Sequence, residues 1–153
     1  MPHSNQTIKP SNNPSWTVPS PEAWSAVAAD IAPMLRPGSI LALSGPLGAG
    51  KTTFVQALAA MLGASRNPKS PTFTMLRTYV VDYHGVTRLL HLDAYRIENE
   101  ADLLPLDLDE ELLESGTILI IEWPEKMPGW LAKHPHQTLE IKIDGEGRRA
   151  EIA

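Results

Sequence analysis

From Gly45 to Thr52 the chain reads GPLGAGKT and fits the spacing G-x-x-x-x-G-K-[ST]. Glycines at that spacing let the backbone curl until its N–H groups converge on phosphate oxygens. Lys51 then reaches the β and γ phosphates as a point charge, and the Thr52 hydroxyl is placed to ligate Mg²⁺. The helix that follows aims its positive end at the same anion. Gly48, Ala49, Gly50, Lys51, Thr52 and Thr53 are the expected phosphate binders. Pro46 removes one N–H donor, but those from Gly48 to Thr53 remain. The chemistry implied is binding of a nucleoside triphosphate, ATP or a relative, with Mg²⁺.

Such a loop needs a second metal carboxylate at the end of a neighbouring strand. Two residues qualify: Asp93 ends RLLHLD and Glu122 ends ILIIE. One would complete the metal shell, and the other would orient or deprotonate an attacking water. Spacing alone leaves the two roles open between them. Lys51, Asp93 and Glu122 are therefore the expected catalytic set. Thr72, in KSPTF about 20 residues past Lys51, could sense the γ-phosphate as switch loops do. His91, in HLDAYR, reads as a structural hydrogen-bonding residue, because a His–Asp metal site would lack further ligands. DYHG at 82–85 imitates the D-x-x-G of GTPases, but no N-K-x-D follows, and a hairpin turn explains it better. No G-x-S-x-G is present to anchor a serine-hydrolase triad.

The elements that must hold these residues follow from pattern. SILALS (39–44) and TILIIEW (117–123) are short, almost wholly apolar runs, as expected for central strands of a parallel sheet. The spacing predicts a helix over SPEAWSAVAADIAPML, with Trp24, Val27, Ala28, Ile31 and Leu35 inward. A second is expected over about 51–62, burying Phe54, Val55, Leu58, Met61 and Leu62, with Gly63 closing it. FTMLRTYVV and VTRLLHLD form a hairpin around DYHG. TLEIKI and RAEI form another around DGEG. Acidic, leucine-containing helical pieces fill 98–114, interrupted by Pro105. PEKMPGWLAKHPH reads as a loop. Residues 1–19, rich in Ser, Asn and Pro, read as a disordered arm, and 20–153 as a single P-loop ATPase domain. The fold class is α/β: a P-loop NTPase-like mixed sheet, parallel at its centre and antiparallel at its margins, flanked by helices.

Composition narrows the classes. With 153 residues the chain suits one domain with a core, and with no cysteine it holds neither a disulfide framework nor a thiolate metal site. Nothing approaches the roughly 20 apolar residues that span a bilayer, and the start lacks the apolar segment of a secretory signal. The expectation is a soluble cytoplasmic protein with no membrane contact. The net charge of -5 is uneven: between Arg96 and Lys126 there is no Lys or Arg but ten Asp or Glu. That window is either a solvated acidic face or a docking surface for a partner. No basic stripe with interleaved aromatics supports direct nucleic-acid contact.

Taken in order, GPLGAGKTTF, SPTF, HLDAYR and EWPE resemble the TsaE (YjeE) family over about residues 18–152. These are small bacterial P-loop ATPases of tRNA threonylcarbamoyladenosine biosynthesis. The resemblance implies binding and slow hydrolysis of ATP with Mg²⁺. It also implies action with TsaB and TsaD, with TsaD making the transfer to adenosine 37 and the tRNA met only indirectly. By motif match, Lys51, Thr52 and Thr53 sit on the phosphates, and Thr52 with Glu122 forms the Mg²⁺ pair. Asp93 becomes the other essential carboxylate, and Thr72 falls in the switch-like loop. Glu125 and Arg148 align with positions near the nucleotide. This chain departs from the pattern at Trp24, where a threonine is usual, and at Pro46, where an acidic residue is usual. A small-molecule kinase on the same scaffold is the alternative. It would need lid arginines, and 98–125 has neither Arg nor Lys.

Overall fold

The computed structural model describes residues 6–8, 13–64 and 75–153. Eight strands form one sheet in the order β1-β2-β8-β7-β3-β6-β5-β4. The strands are β1 (Gln6–Ile8), β2 (Pro14–Val18), β3 (Ile40–Ser44), β4 (Leu76–Tyr83), β5 (Val86–Asp93), β6 (Thr117–Glu122), β7 (Gln137–Asp144) and β8 (Gly147–Ile152). At the centre, β3 lies parallel to both β6 and β7, and β6 lies parallel to β5. The outer pairs β4–β5, β7–β8, β2–β8 and β1–β2 are antiparallel. This is the expected mixed sheet.

The apolar strands are buried on both faces, and their period of two divides the core. Leu41, Leu43, Leu89, Ile118 and Ile120 face α1 (Trp24–Ile31) and α2 (Lys51–Met61). Ile40, Leu90, Leu92, Leu119 and Ile121 face the opposite layer. That layer holds α3 (Leu108–Leu113), α4 (Pro128–Ala132) and the 3₁₀ turn Glu100–Leu106. The expected inward residues of the first helix, Trp24 to Leu35, are all buried. The helix itself is split, because Pro21–Ala23 and Ala32–Met34 wind as 3₁₀ turns at its ends.

Three expectations are corrected. The disordered arm does not extend to residue 19, because Pro14–Val18 pairs with β8 as part of the sheet. Trp16 and Val18 are buried there, and the Trp16 indole N–H donates to Asp30 Oδ2 on α1 at 2.9 Å. Burying two such side chains contributes about 1.5–3 kcal/mol each, enough to hold a short strand that composition hides. Met61, expected in the buried face of α2, is 40% exposed because the stripe of Phe54, Val55 and Leu58 continues at Leu62, four residues past Leu58, and leaves Met61 beside it. PEKMPGWLAKHPH is not a plain loop. Pro124 opens a 3₁₀ turn and Pro128 opens α4, each proline standing where its missing N–H costs nothing.

Candidate functional site: a phosphate loop and two strand-end carboxylates

The chain leaves β3 at Ser44, rounds the glycine loop and enters α2 at Lys51. Gly45 has no room for a side chain: a Cβ there would stand 2.7 Å from the Ile141 carbonyl of β7. Gly50 is left-handed at φ 103°, and a Cβ there would meet the Trp24 indole at 2.8 Å. The loop is thus pressed between β7 and α1, and glycine is the only residue that fits either turn. Lys51 is 5% exposed; its Nζ donates to the Gly45 carbonyl at 2.5 Å and lies 3.2 Å above the centre of the Trp123 ring. Burial pushes the Lys51 ammonium below its usual value, against the charges of Glu122, Glu125 and Asp93, which raise it.

Period-two geometry places His91, Asp93 and Glu122 on the α2 face of the sheet, with Asp93 and Glu122 in register on adjacent parallel strands. Glu122 is 3% exposed. Its Oε2 accepts from Thr52 Oγ1 at 3.0 Å and from His91 Nε2 at 2.5 Å. An ionised carboxylate only accepts, so the His91 proton sits on Nε2. His91 Nδ1 has no partner among the described residues. Burial alone would raise the Glu122 carboxyl. The His91 hydrogen bond and charge, the Thr52 hydrogen bond and Lys51 overcome it and hold the group below its usual value.

Asp93 stands beside Glu122 but is exposed. Among the described residues, its carboxylate accepts only the Tyr95 N–H, at Oδ1 and 3.1 Å. β5 stops at Asp93, and Tyr95 folds over to pack on Trp123 with ring centroids 5.0 Å apart. Trp123 itself is left-handed at φ 62°. That turn carries the chain from the end of β6 to the opposite layer and leaves the indole beneath Lys51. Residues Gly48–Thr53, Asp93, Tyr95, Glu122 and Trp123 enclose a cleft of about 330 Å³.

A second cleft of about 190 Å³ adjoins the first across the loop, with Trp24, Pro21, Gly48, Gly50, Thr53 and Arg148 among its walls. Arg148 reaches it from β8, its Nη2 donating to the Gly48 carbonyl at 3.0 Å. Of the residues expected from sequence, Lys51, Thr52, Asp93 and Glu122 share the first cleft. Gly48, Ala49, Gly50 and Thr53 line both, and Arg148 lines the second. Glu125 lies apart, exposed on the 3₁₀ turn Pro124–Lys126, and lines neither cleft. Thr72 lies outside the described residues. Sequence reasoning did not foresee the ring under Lys51 or Tyr95 in the cleft. The tandem of HLDAYR and EWPE was the available signal, since both segments begin where register-matched strands end.

Two donors suited to a hard cation, the Thr52 hydroxyl and the Glu122 carboxylate, converge beside a loop shaped for phosphate. No cluster of three or more Asp, Glu, His or Cys stands among the described residues to cage an ion unaided. That is the donor set Mg²⁺ takes when waters and phosphate oxygens supply the rest. A strand, a glycine loop, a lysine-led helix and a carboxylate on the adjacent parallel strand together define a P-loop nucleotide-binding protein.

Comparison with known proteins refines that class. The family model for "Threonylcarbamoyl adenosine biosynthesis protein TsaE" matches residues 18–151, and the chain belongs to the TsaE family. The chain is 38% identical over 132 residues to the tRNA threonylcarbamoyladenosine biosynthesis protein TsaE of Bacillus subtilis, covering 86% of this chain and 78% of that one. It is 42% identical over 121 residues to the protein of that name from Nostoc sp., covering 77% and 72%. The crystal structure of Bacillus subtilis YdiB superposes with a TM-score of 0.68 at 29% identity, covering 99% of this chain and 87% of that one. No helix among the described residues is long and apolar enough to cross a membrane.

Proposed function

We propose that this protein is a Mg²⁺-dependent ATPase that serves threonylcarbamoyladenosine modification of tRNA, working in the cytoplasm with TsaB and TsaD rather than performing the transfer itself. The observation that carries the ATPase reading is the 3.0 Å contact between Thr52 Oγ1 and Glu122 Oε2 beside the P-loop lysine. The partner reading rests on family membership. The lack of Arg or Lys over 98–125 counts against the kinase alternative.

In this reading Lys51 leaves the Gly45 carbonyl and the Trp123 ring to bind the β and γ phosphates, while the loop N–H groups from Gly48 to Thr53 surround them. Thr52 and Glu122 would hold Mg²⁺, which when bound would supply charge neutralisation on the phosphate oxygens. Glu122 is kept ionised and aimed by His91. Asp93, exposed at the cleft mouth, orients the attacking water and accepts its proton. Arg148 and Trp24 border the smaller cleft, which is placed for the nucleoside end of ATP.

Lys51→Ala tests the core of the proposal. It should abolish ATP binding or turnover in a nucleotide titration, and unchanged affinity and hydrolysis would sink the assignment. Pulldown of TsaB–TsaD from the same organism, with ATP, ADP or neither, tests the partner reading. Nucleotide-dependent capture is expected, and no capture in any state would refute it.

A further inference from the structure

On the sheet face opposite α2, a cleft of about 600 Å³ opens between the 3₁₀ turn Glu100–Leu106, α3 and α4. Buried Leu103 and Leu108 and half-buried Trp130 give it an apolar lining. Leu104 stands at its edge, 75% exposed. Glu100, Asp107, Asp109 and Glu110 also line it, against a single lysine, Lys133.

Half of that charge is structurally employed. Glu100 accepts the backbone N–H groups of Gly129 and Trp130 at 2.9 and 2.7 Å, capping α4. Asp109 accepts from the Trp130 indole N–H at 3.2 Å and pairs with His134 Nε2 at 2.7 Å. These contacts brace Trp130, which stacks on His134 with centroids 3.7 Å apart. Asp107 and Glu110 make no side-chain hydrogen bond or ion pair among the described residues. The positive end of α3 favours an acid in its first turn, which accounts for Glu110 in part. Asp107, the residue before α3, sits in the left-handed region at φ 50° that Asp tolerates, but its carboxylate makes no cap hydrogen bond and stays open, as Leu104 does in solvent. A concave apolar lining with unpaired carboxylates around it is complementary to a basic, amphipathic peptide segment. Its charge repels nucleic acid.

We infer that this cleft is the docking site for a basic amphipathic segment of a partner protein, which seats an apolar side chain against Leu103, Leu104 and Trp130 and sets lysine or arginine against Asp107 and Glu110. The site sits one short turn from the nucleotide cleft: Trp123, the 3₁₀ turn Pro124–Lys126 and α4 run consecutively from the end of β6 to Trp130. The choice of TsaB–TsaD as first probe rests on the proposed function; the cleft itself does not.

Two variants test it, Asp107→Asn/Glu110→Lys and Leu104→Ser. Asparagine is chosen because it tolerates the left-handed backbone at 107. Neither variant touches the nucleotide cleft, so basal ATP hydrolysis and melting temperature serve as controls for folding. If TsaB–TsaD binds the wild-type protein, each variant should weaken it about tenfold or more, and wild-type binding should fall with added salt. Undiminished binding in both variants overturns the inference. If the wild-type protein does not bind TsaB–TsaD, the partner reading fails and a synthetic peptide decides instead. A lysine–leucine helical peptide should then shift the Trp130 indole N–H resonance, leave that of buried Trp16 in place and bind more weakly to both variants. No shift at Trp130, or equal binding of the same peptide with glutamate for lysine, overturns the inference.

Discussion

Glu122 and Asp93 end neighbouring parallel strands at the same level, on the same face of the sheet, yet they occupy opposite surroundings. β6 is flanked by β3 and β5, so Glu122 ends deep between strands with Thr52 and His91 on its oxygens. Among the described residues, β5 has only the β4 hairpin beyond it, and Asp93 is exposed with one backbone N–H on its carboxylate. One carboxylate is buried and hydrogen-bonded, and the other is exposed to water. In the proposed function, position in the sheet, rather than residue type, would separate a metal-holding role from a proton-accepting one.

That contrast can be broken experimentally. The largest effect belongs to Asp93→Asn: turnover should fall by roughly 10²–10⁴-fold, as for loss of a general base, while Mg²⁺-dependent ATP affinity stays within a few-fold. Parallel losses of both would erase the distinction. Glu122→Gln should do the reverse, weakening Mg²⁺-dependent ATP binding on the order of a hundredfold in titrations with and without the metal, in line with loss of a supporting metal contact or more. Should Mg²⁺ still strengthen ATP binding normally, Asp93 is the better ligand. His91→Phe, which removes the Nε2–H donor but keeps a buried ring, should cost about tenfold in the same measurement and leave turnover at saturating Mg²⁺ largely intact.

The smallest effect is on stability. Glu122 titrates below its ordinary 4.5 in the folded chain. Its stabilisation is therefore fully present above that value and is lost as pH falls through the lower folded one. Chemical denaturation of the metal-free protein across that acid range should show Glu122→Gln losing less stability than wild type. Identical acid slopes for wild type and Glu122→Gln would remove the asymmetry.

Sequence carried the phosphate loop and the central strands because their signals are local: a glycine spacing, a run of apolar residues, a turn at His84–Gly85. The Glu122–Asp93 tie was not local. The two differ only once β5 and β6 are in register and α2 sets Thr52 against Glu122 alone, which is what supports the proposed assignment. β2 was hidden for a related reason. PSWTV is five residues among Ser, Asn and Pro, and its partner β8 is over 120 residues away. α4 was hidden by its own prolines, which read as breakers but stand at helix starts. The bond between His91 and Glu122 was half legible, as a hydrogen-bonding histidine without a named acceptor.

Trp123 and Trp24 stand in the two adjoining clefts of the candidate site, the first beneath the Lys51 ammonium and the second behind Gly50. Drawing Lys51 onto a phosphate would take a full positive charge off the Trp123 ring, whereas Trp24, 2% exposed, is already shielded from water. The molecule thus carries an intrinsic optical gauge of charge at one end of its site. Ultraviolet emission from a version that keeps Trp123 alone would report capture of the phosphates.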